Sequence, residues 1–131
     1  SRGLGDVYKR QALNCAINPL TVLYQCRNGG LQAHQCEVAT LCAELSELLE
    51  CCGQPAAAQD LHSEVQRVIQ ATAANYSSMY QDVASSRRTE ISYLLGYACQ
   101  AAERHQLVLP HLQQLRARLV DYLHTRGLAS D

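Results

Sequence analysis

From residue 36 to residue 52 an apolar side chain returns at every third or fourth position, and no other feature of the chain limits its fold so tightly. Val38, Leu41, Cys42, Leu45, Leu48, Leu49 and Cys52 keep this spacing, which is the period of an α-helix with one buried face. Glu37, Glu44 and Glu47 occupy the other face, and Gly53-Gln54-Pro55 supplies a C-terminal stop. The same spacing places Leu61, Val65, Val68, Ile69 and Thr72 on one face of a second helix over residues 58–74. A short helix is predicted around Ser78–Ala84, followed by a turn. Thr89 is placed to cap the next helix, marked by Ile91, Leu94, Leu95, Ala98, Cys99 and Ala102 and ending near His105. Pro110 opens the last, with Leu112, Leu115, Leu119 and Leu123 as its stripe.

Composition agrees with helices throughout. Leu (19), Ala (17) and Gln (13) dominate, whereas Val, Ile and Thr together supply 16 residues, so strand-favouring side chains are scarce. No alternating pattern exceeds three or four residues. At 131 residues the expectation is one all-α domain. Gly96 lies inside a strong helix, where glycine costs about 1 kcal/mol against alanine, and so suggests close approach of a backbone or a ligand.

Pro19 interrupts an apolar pattern of Leu13, Ala16, Ile17, Leu20, Leu23 and Tyr24. A proline disfavours helical geometry in the residue before it, so two helices are expected to meet at Asn18, with Asn18 capping the second. Arg10, Asn14 and Asn18 are spaced by four, which puts a polar face on the first helix.

The net charge of −1 gives no electrostatic reason to expect a nucleic-acid or membrane surface as partner. No apolar run is long enough for a membrane span and no signal peptide is evident, so the chain reads as cytoplasmic. Its seven cysteines are then expected to be reduced and buried rather than paired in disulfides. Cys26, His34 and Cys36 fit no usual zinc spacing, and no metal is expected. Gly3-Leu4-Gly5 is no dinucleotide loop, and no Ser or Cys sits in a nucleophile motif.

The polar residues that remain are Asn14, Asn18, Asn28, Asn75, Ser77, Ser78 and Glu90. Each has an ordinary structural use: Asn18 as a cap, Asn28 in the turn Asn28-Gly29-Gly30, Ser78 in a first helical turn, Glu90 near a helix N-terminus. Their arrangement in two blocks says more. Asn14-Cys15-Ala16-Ile17-Asn18-Pro19-Leu20-Thr21 with Cys26-Arg27-Asn28-Gly29 resembles the opening of the C-terminal domain of the ketopantoate reductases (2-dehydropantoate 2-reductases). Ser77-Ser78-Met79-Tyr80-Gln81-Asp82, Arg88-Thr89-Glu90-Ile91 and Gly96-Tyr97 resemble that family's second block, in order and at its spacing. The likeness runs from about Ala12 to Leu123.

The resemblance implies an all-α C-terminal domain of the 6-phosphogluconate-dehydrogenase-like type, lacking its N-terminal Rossmann domain. It implies NADPH-dependent reduction of 2-dehydropantoate to (R)-pantoate, toward pantothenate and coenzyme A, with the fragment alone inactive. By position, Asn14, Asn18 and Asn28 would bind the substrate, Ser78 its carboxylate end, and Asn75 the same pocket, while Glu90 would contact the nicotinamide ribose side of the cofactor. Neutral amides and a hydroxyl suit a small hydroxy-keto acid, because directed hydrogen bonds orient it without a buried charge. A related reductase of another 2-keto acid and a non-enzymatic helical interaction domain are the alternatives, and a homodimer of the parent is left open.

Two departures stand out. Where the family has its catalytic lysine this chain has Arg10, which holds its proton too firmly to be a good acid. Lys9 is about 100° away round the helix. Residues 1–11, moreover, contain Gly5-Asp6-Val7-Tyr8-Lys9-Arg10-Gln11, which resembles translated adaptor sequence. The expectation is that residues 1–11 are not native and that 12–131 form the domain.

Overall fold

The computed structural model describes the backbone of residues 2–87 and 91–128 and the side chains of residues 6–87 and 95–128. Six α-helices account for most of these residues: α1 Arg2–Tyr24, α2 Gln35–Cys51, α3 Pro55–Ala71, α4 Ser78–Ala84, α5 Ile91–Arg104 and α6 Pro110–Thr125. A 3₁₀ helix, Asn28–His34, links α1 to α2. No strand occurs among the described residues. The predicted stripes are buried: Leu41, Leu45 and Leu49 of α2, Leu61, Val65 and Ile69 of α3, and Leu112, Leu115, Leu119 and Leu123 of α6.

Three local expectations are corrected. The chain does not break at Asn18, because α1 runs through Pro19 as one helix, and Asn18 caps nothing. Proline inside a helix loses one hydrogen bond and costs about 3 kcal/mol. Ala12, Cys15, Ala16, Ile17 and Leu20 are all buried on one face that straddles it, and burial of a large aliphatic side chain stabilises by about 1.5–3 kcal/mol, so the continuous stripe prevails. The turn at Asn28 is the start of a seven-residue 3₁₀ helix. The thiols, all free, divide: Cys15, Cys42 and Cys99 are buried, Cys26 and Cys52 half-buried, and Cys36 and Cys51 exposed.

Gly96 meets no backbone. A Cβ there would lie 3.3 Å from the Arg116 guanidinium of α6, so the glycine leaves room for that side chain between α5 and α6. The proposed cap Thr89 lies outside the described residues.

α1 is the central element, touching α2, α3, α4, α5 and α6. Its C-terminal end is held by side chains: the Tyr24 hydroxyl donates to Glu37 of α2, Arg118 of α6 donates to the same carboxylate at 2.8 Å, and His34 stacks on Tyr24 at 3.7 Å. Burial alone would raise the pKa of Glu37, but the Tyr24 hydroxyl and the Arg118 guanidinium outweigh it and hold the carboxyl below its usual range. No helix among the described residues is long and apolar enough to cross a membrane.

Candidate functional site

Two segments 44 to 56 residues apart in sequence meet at the C-terminal half of α1. The loop after α3 lies against it and is bonded at both ends. At one end the backbone N–H of Asn28 donates to the Asn75 carbonyl at 2.9 Å and that of Gly29 to the Ala73 carbonyl at 3.1 Å. At the other end the hydroxyls of Thr21 and Ser77 are 2.7 Å apart, and Thr21 donates to the Asn18 carbonyl at 2.7 Å. Ser77 also caps α4, accepting from the Tyr80 N–H at 3.0 Å, as a serine in that position should.

The loop thus lays Asn75 and the start of α4, with Ser78, beside the part of the chain that carries Asn18 and Asn28. Asn18, half-buried, and Ser78, exposed, sit at opposite ends of the Thr21–Ser77 contact. Asn14 is exposed four residues earlier on the same face of α1, and Arg10, also exposed, four residues before that; each four-residue step advances about 6 Å. Asn75 is exposed on the loop itself. Lys9 points elsewhere, pairing with Glu64 of α3 at 3.5 Å. Glu90 lies outside the described residues.

Asn28 differs from the other amides. It is buried, its Nδ2 donates to the Thr72 hydroxyl at 2.8 Å, and its Oδ1 is buried without a hydrogen-bond partner. An unsatisfied buried acceptor costs about 1–3 kcal/mol, and none of the described residues supplies this oxygen with a donor.

Sequence reasoning missed two contributors. Thr21, fully buried, looks like one more helical residue until its partner 56 positions away is known. Arg27 donates to the Ala74 carbonyl at 3.1 Å and lies 4.9 Å over the ring of Tyr76, which stacks on Tyr80. This cationic, aromatic border beside Asn75 had no signal in local spacing.

The surface so formed is polar and open. A separate cavity of about 50 Å³, lined by Tyr8, Cys15, Leu45, Leu48, Tyr97 and Ala101 among others, contains none of the nominated residues. Its almost wholly apolar wall makes it a dry packing gap rather than a place for an acid. Burial, followed by the neighbouring Cys99, pushes the Cys15 thiol up to about 12, so that thiol is no nucleophile at neutral pH. Among the described residues no group of three or more His, Cys, Asp or Glu side chains could hold a metal ion.

Comparison with known proteins identifies the family. Residues 4–122 match the family described as ketopantoate reductase PanE/ApbA C terminal. The chain is 42% identical over 110 residues to the 2-dehydropantoate 2-reductase of Salmonella typhimurium, covering 84% of this chain and 36% of that protein. It thus spans about a third of the length of the relatives it matches. The crystal structure of a probable 2-dehydropantoate 2-reductase from Bacillus subtilis superposes with a TM-score of 0.71 at 28% identity, covering 86% of this chain and 38% of that one. A ternary structure of D-mandelate dehydrogenase with NADH and anilino(oxo)acetate shares the fold, with a TM-score of 0.84 at 19% identity over 95% of this chain and 42% of that chain.

Proposed function

We propose, because this chain belongs to the C-terminal family of the ketopantoate reductases, that it is the substrate-binding part of a cytoplasmic 2-dehydropantoate 2-reductase. Such an enzyme reduces 2-dehydropantoate to (R)-pantoate with NADPH, a step toward pantothenate and coenzyme A. The observation that supports the reading is the buried Thr21–Ser77 contact, which ties the residue preceding Ser78 to the turn of α1 that carries Asn18. In this reading Asn14 and Asn18 hydrogen-bond the keto acid, Ser78 binds its carboxylate end, and Asn75 borders the same surface. Asn28, buried, would act from beneath this surface, its N–H holding the Asn75 carbonyl in place.

The described residues do not form a dinucleotide site by themselves. Gly29 and Gly30 offer no phosphate cradle, since a Cβ on either would lie 2.7 Å from Ala73 or Cys26. Glu90, assigned to the nicotinamide ribose side, is outside them. NADPH, which supplies a hydride when bound, is accordingly placed in a Rossmann domain that these residues do not include, and the helical domain alone is expected to be inactive. Its own task is to orient the keto acid and to hold a proton at the keto oxygen.

Residue 10 is assigned that proton. Arginine offers donors but stays protonated, so Arg10 binds better than it gives. We also propose that residues 1–11 derive from adaptor sequence and that the domain is 12–131. The family match starts at residue 4, α1 starts at Arg2 and Tyr8 packs against the core, which weigh against that origin for the segment. The genomic sequence upstream of Ala12 tests its origin: a coding sequence that reproduces residues 1–11 refutes it.

The function is tested by joining the chain to the N-terminal remainder of the Salmonella typhimurium relative, with Arg10→Lys and without. NADPH oxidation by the lysine form should depend on 2-dehydropantoate, and Arg10 should lower kcat by roughly 100-fold, the scale of a lost general acid. No substrate-dependent oxidation by the lysine form refutes the function. Equal rates refute the role of residue 10.

A further inference from the structure

We propose that Thr21 and Ser77 are positioning residues whose paired hydroxyls set the spacing between Asn18 and Ser78, and so decide whether a small hydroxy-keto acid fits between them. The inference rests on the reading of the site given above. Thr21 and Ser77, with Asn28, are the buried polar residues among those described. Two hydroxyls removed from water are tolerable only if fully bonded.

The proton order in this contact follows by elimination. The Thr21 hydrogen goes to the Asn18 carbonyl at 2.7 Å, so in the 2.7 Å contact between the two hydroxyls Ser77 must be the donor and Thr21 the acceptor. Ser77 in turn accepts the Tyr80 N–H. A single directed chain therefore runs from the backbone of α4 through Ser77 and Thr21 to the backbone of Asn18. The remaining hold on α4 from the core is apolar, through Met79 and Val83, and apolar contact is non-directional. Packing alone lets a seven-residue helix shift along its neighbour. The backbone bonds from Asn28 and Gly29 hold the preceding loop, and the hydroxyl pair adds the directed contact at the start of α4 itself, between the turn that carries Asn18 and the residue next to Ser78.

Valine in place of Thr21 keeps the branched shape but leaves the Ser77 hydrogen without an acceptor, while Ser77 can still cap Tyr80. Thr21→Ser keeps the hydroxyl and loses a methyl. The two substitutions therefore separate positioning from packing.

The test uses the joined enzyme carrying Arg10→Lys, assayed well below the melting midpoint of each variant, so that the folded fraction is the same. Thr21→Val should lower kcat/KM for 2-dehydropantoate about tenfold, as expected for one lost hydrogen bond in a directed set, with KM for NADPH unchanged. Thr21→Ser should recover most of that loss. Thr21→Ala serves the same comparison should valine not be accommodated. If the hydroxyl-free variant equals the unsubstituted enzyme, or if Thr21→Ser is as impaired as Thr21→Val, positioning is refuted while the site reading stands. An unsubstituted joined enzyme without 2-dehydropantoate turnover refutes both.

Discussion

Gly29 holds the seam between the 3₁₀ helix and the loop after α3. A Cβ at this position would stand 2.7 Å from the Ala73 Cβ and 3.0 Å from the Ala73 carbonyl oxygen, and that carbonyl accepts the Gly29 N–H. Backbone that is itself bonded in place cannot retreat cheaply, so Gly29→Ala should destabilise the chain by about 1–3 kcal/mol. Denaturant titration with an unchanged m-value checks this, and a midpoint equal to that of the unsubstituted chain counts against the close packing described. Gly29 reads in sequence as a turn glycine, and the real constraint, a backbone from 44 residues away, has no local trace. The same is true of Thr21. Asn14, Asn18 and Ser78 are candidates only because two blocks occur together in order. Taken one at a time, Ser78 is an ordinary first-turn residue, and Asn14 and Asn18 are polar residues within one long helix.

Among the elements, the helices whose periodicity is long and regular were legible to within a few residues, and the joints were not. Gly53, with φ at +79°, marks the end of α2 as a glycine in the left-handed region should. Gln25, Ser86 and Gln106 adopt the same region, with φ of 51°, 56° and 58°, and these side chains give no warning of a helix end. The start of α6 shows the converse. Leu109 provides no side-chain cap, yet the Glu44 carboxylate of α2 accepts the His111 N–H at 2.9 Å and the Leu112 N–H at 2.8 Å. It also accepts from, or pairs with, the His111 ring at 2.8 Å. Sequence reading put Glu44 on the solvent face of α2, because a cap delivered from another helix has no signature in either segment. Glu44→Ala should therefore cost about 1–2 kcal/mol, the scale of a lost N-cap, and Glu44→Gln less, because one acceptor oxygen survives. Hydrogen exchange at His111 and Leu112 locates the effect; protection unchanged in Glu44→Ala would show that the carboxylate does not cap α6.

At the scale of the whole molecule the core is one cluster to which every helix contributes, so burial in one place is felt by the whole fold. Among the described residues the large exposed apolar side chains, Val7, Tyr76, Tyr97 and Val108, come from four separate segments of the chain. The buried thiols link this single core to pH. Burial and then Cys99 push Cys15 on α1 up to about 12, and burial pushes Cys42 on α2 up to about 11, both from 9.0. In the unfolded chain both would ionise near 9, whereas in the folded chain they keep their protons. Above pH 9 the unfolded state therefore binds fewer protons, and stability falls as pH rises. The contribution is complete below pH 9 and is lost progressively toward pH 11 to 12, with a slope of up to about 1.4 kcal/mol per pH unit for each thiol within its window. Urea midpoints should accordingly be level from pH 7 to 8.5 and decline between pH 9 and 11 in a single transition. Cys15→Ala with Cys42→Ala should lower the midpoint at pH 7, through lost packing, yet flatten the decline. A double variant whose midpoint falls as steeply as that of the unsubstituted chain would assign the alkaline loss to other groups, Cys99 and Tyr24 first among them, both raised in the folded chain.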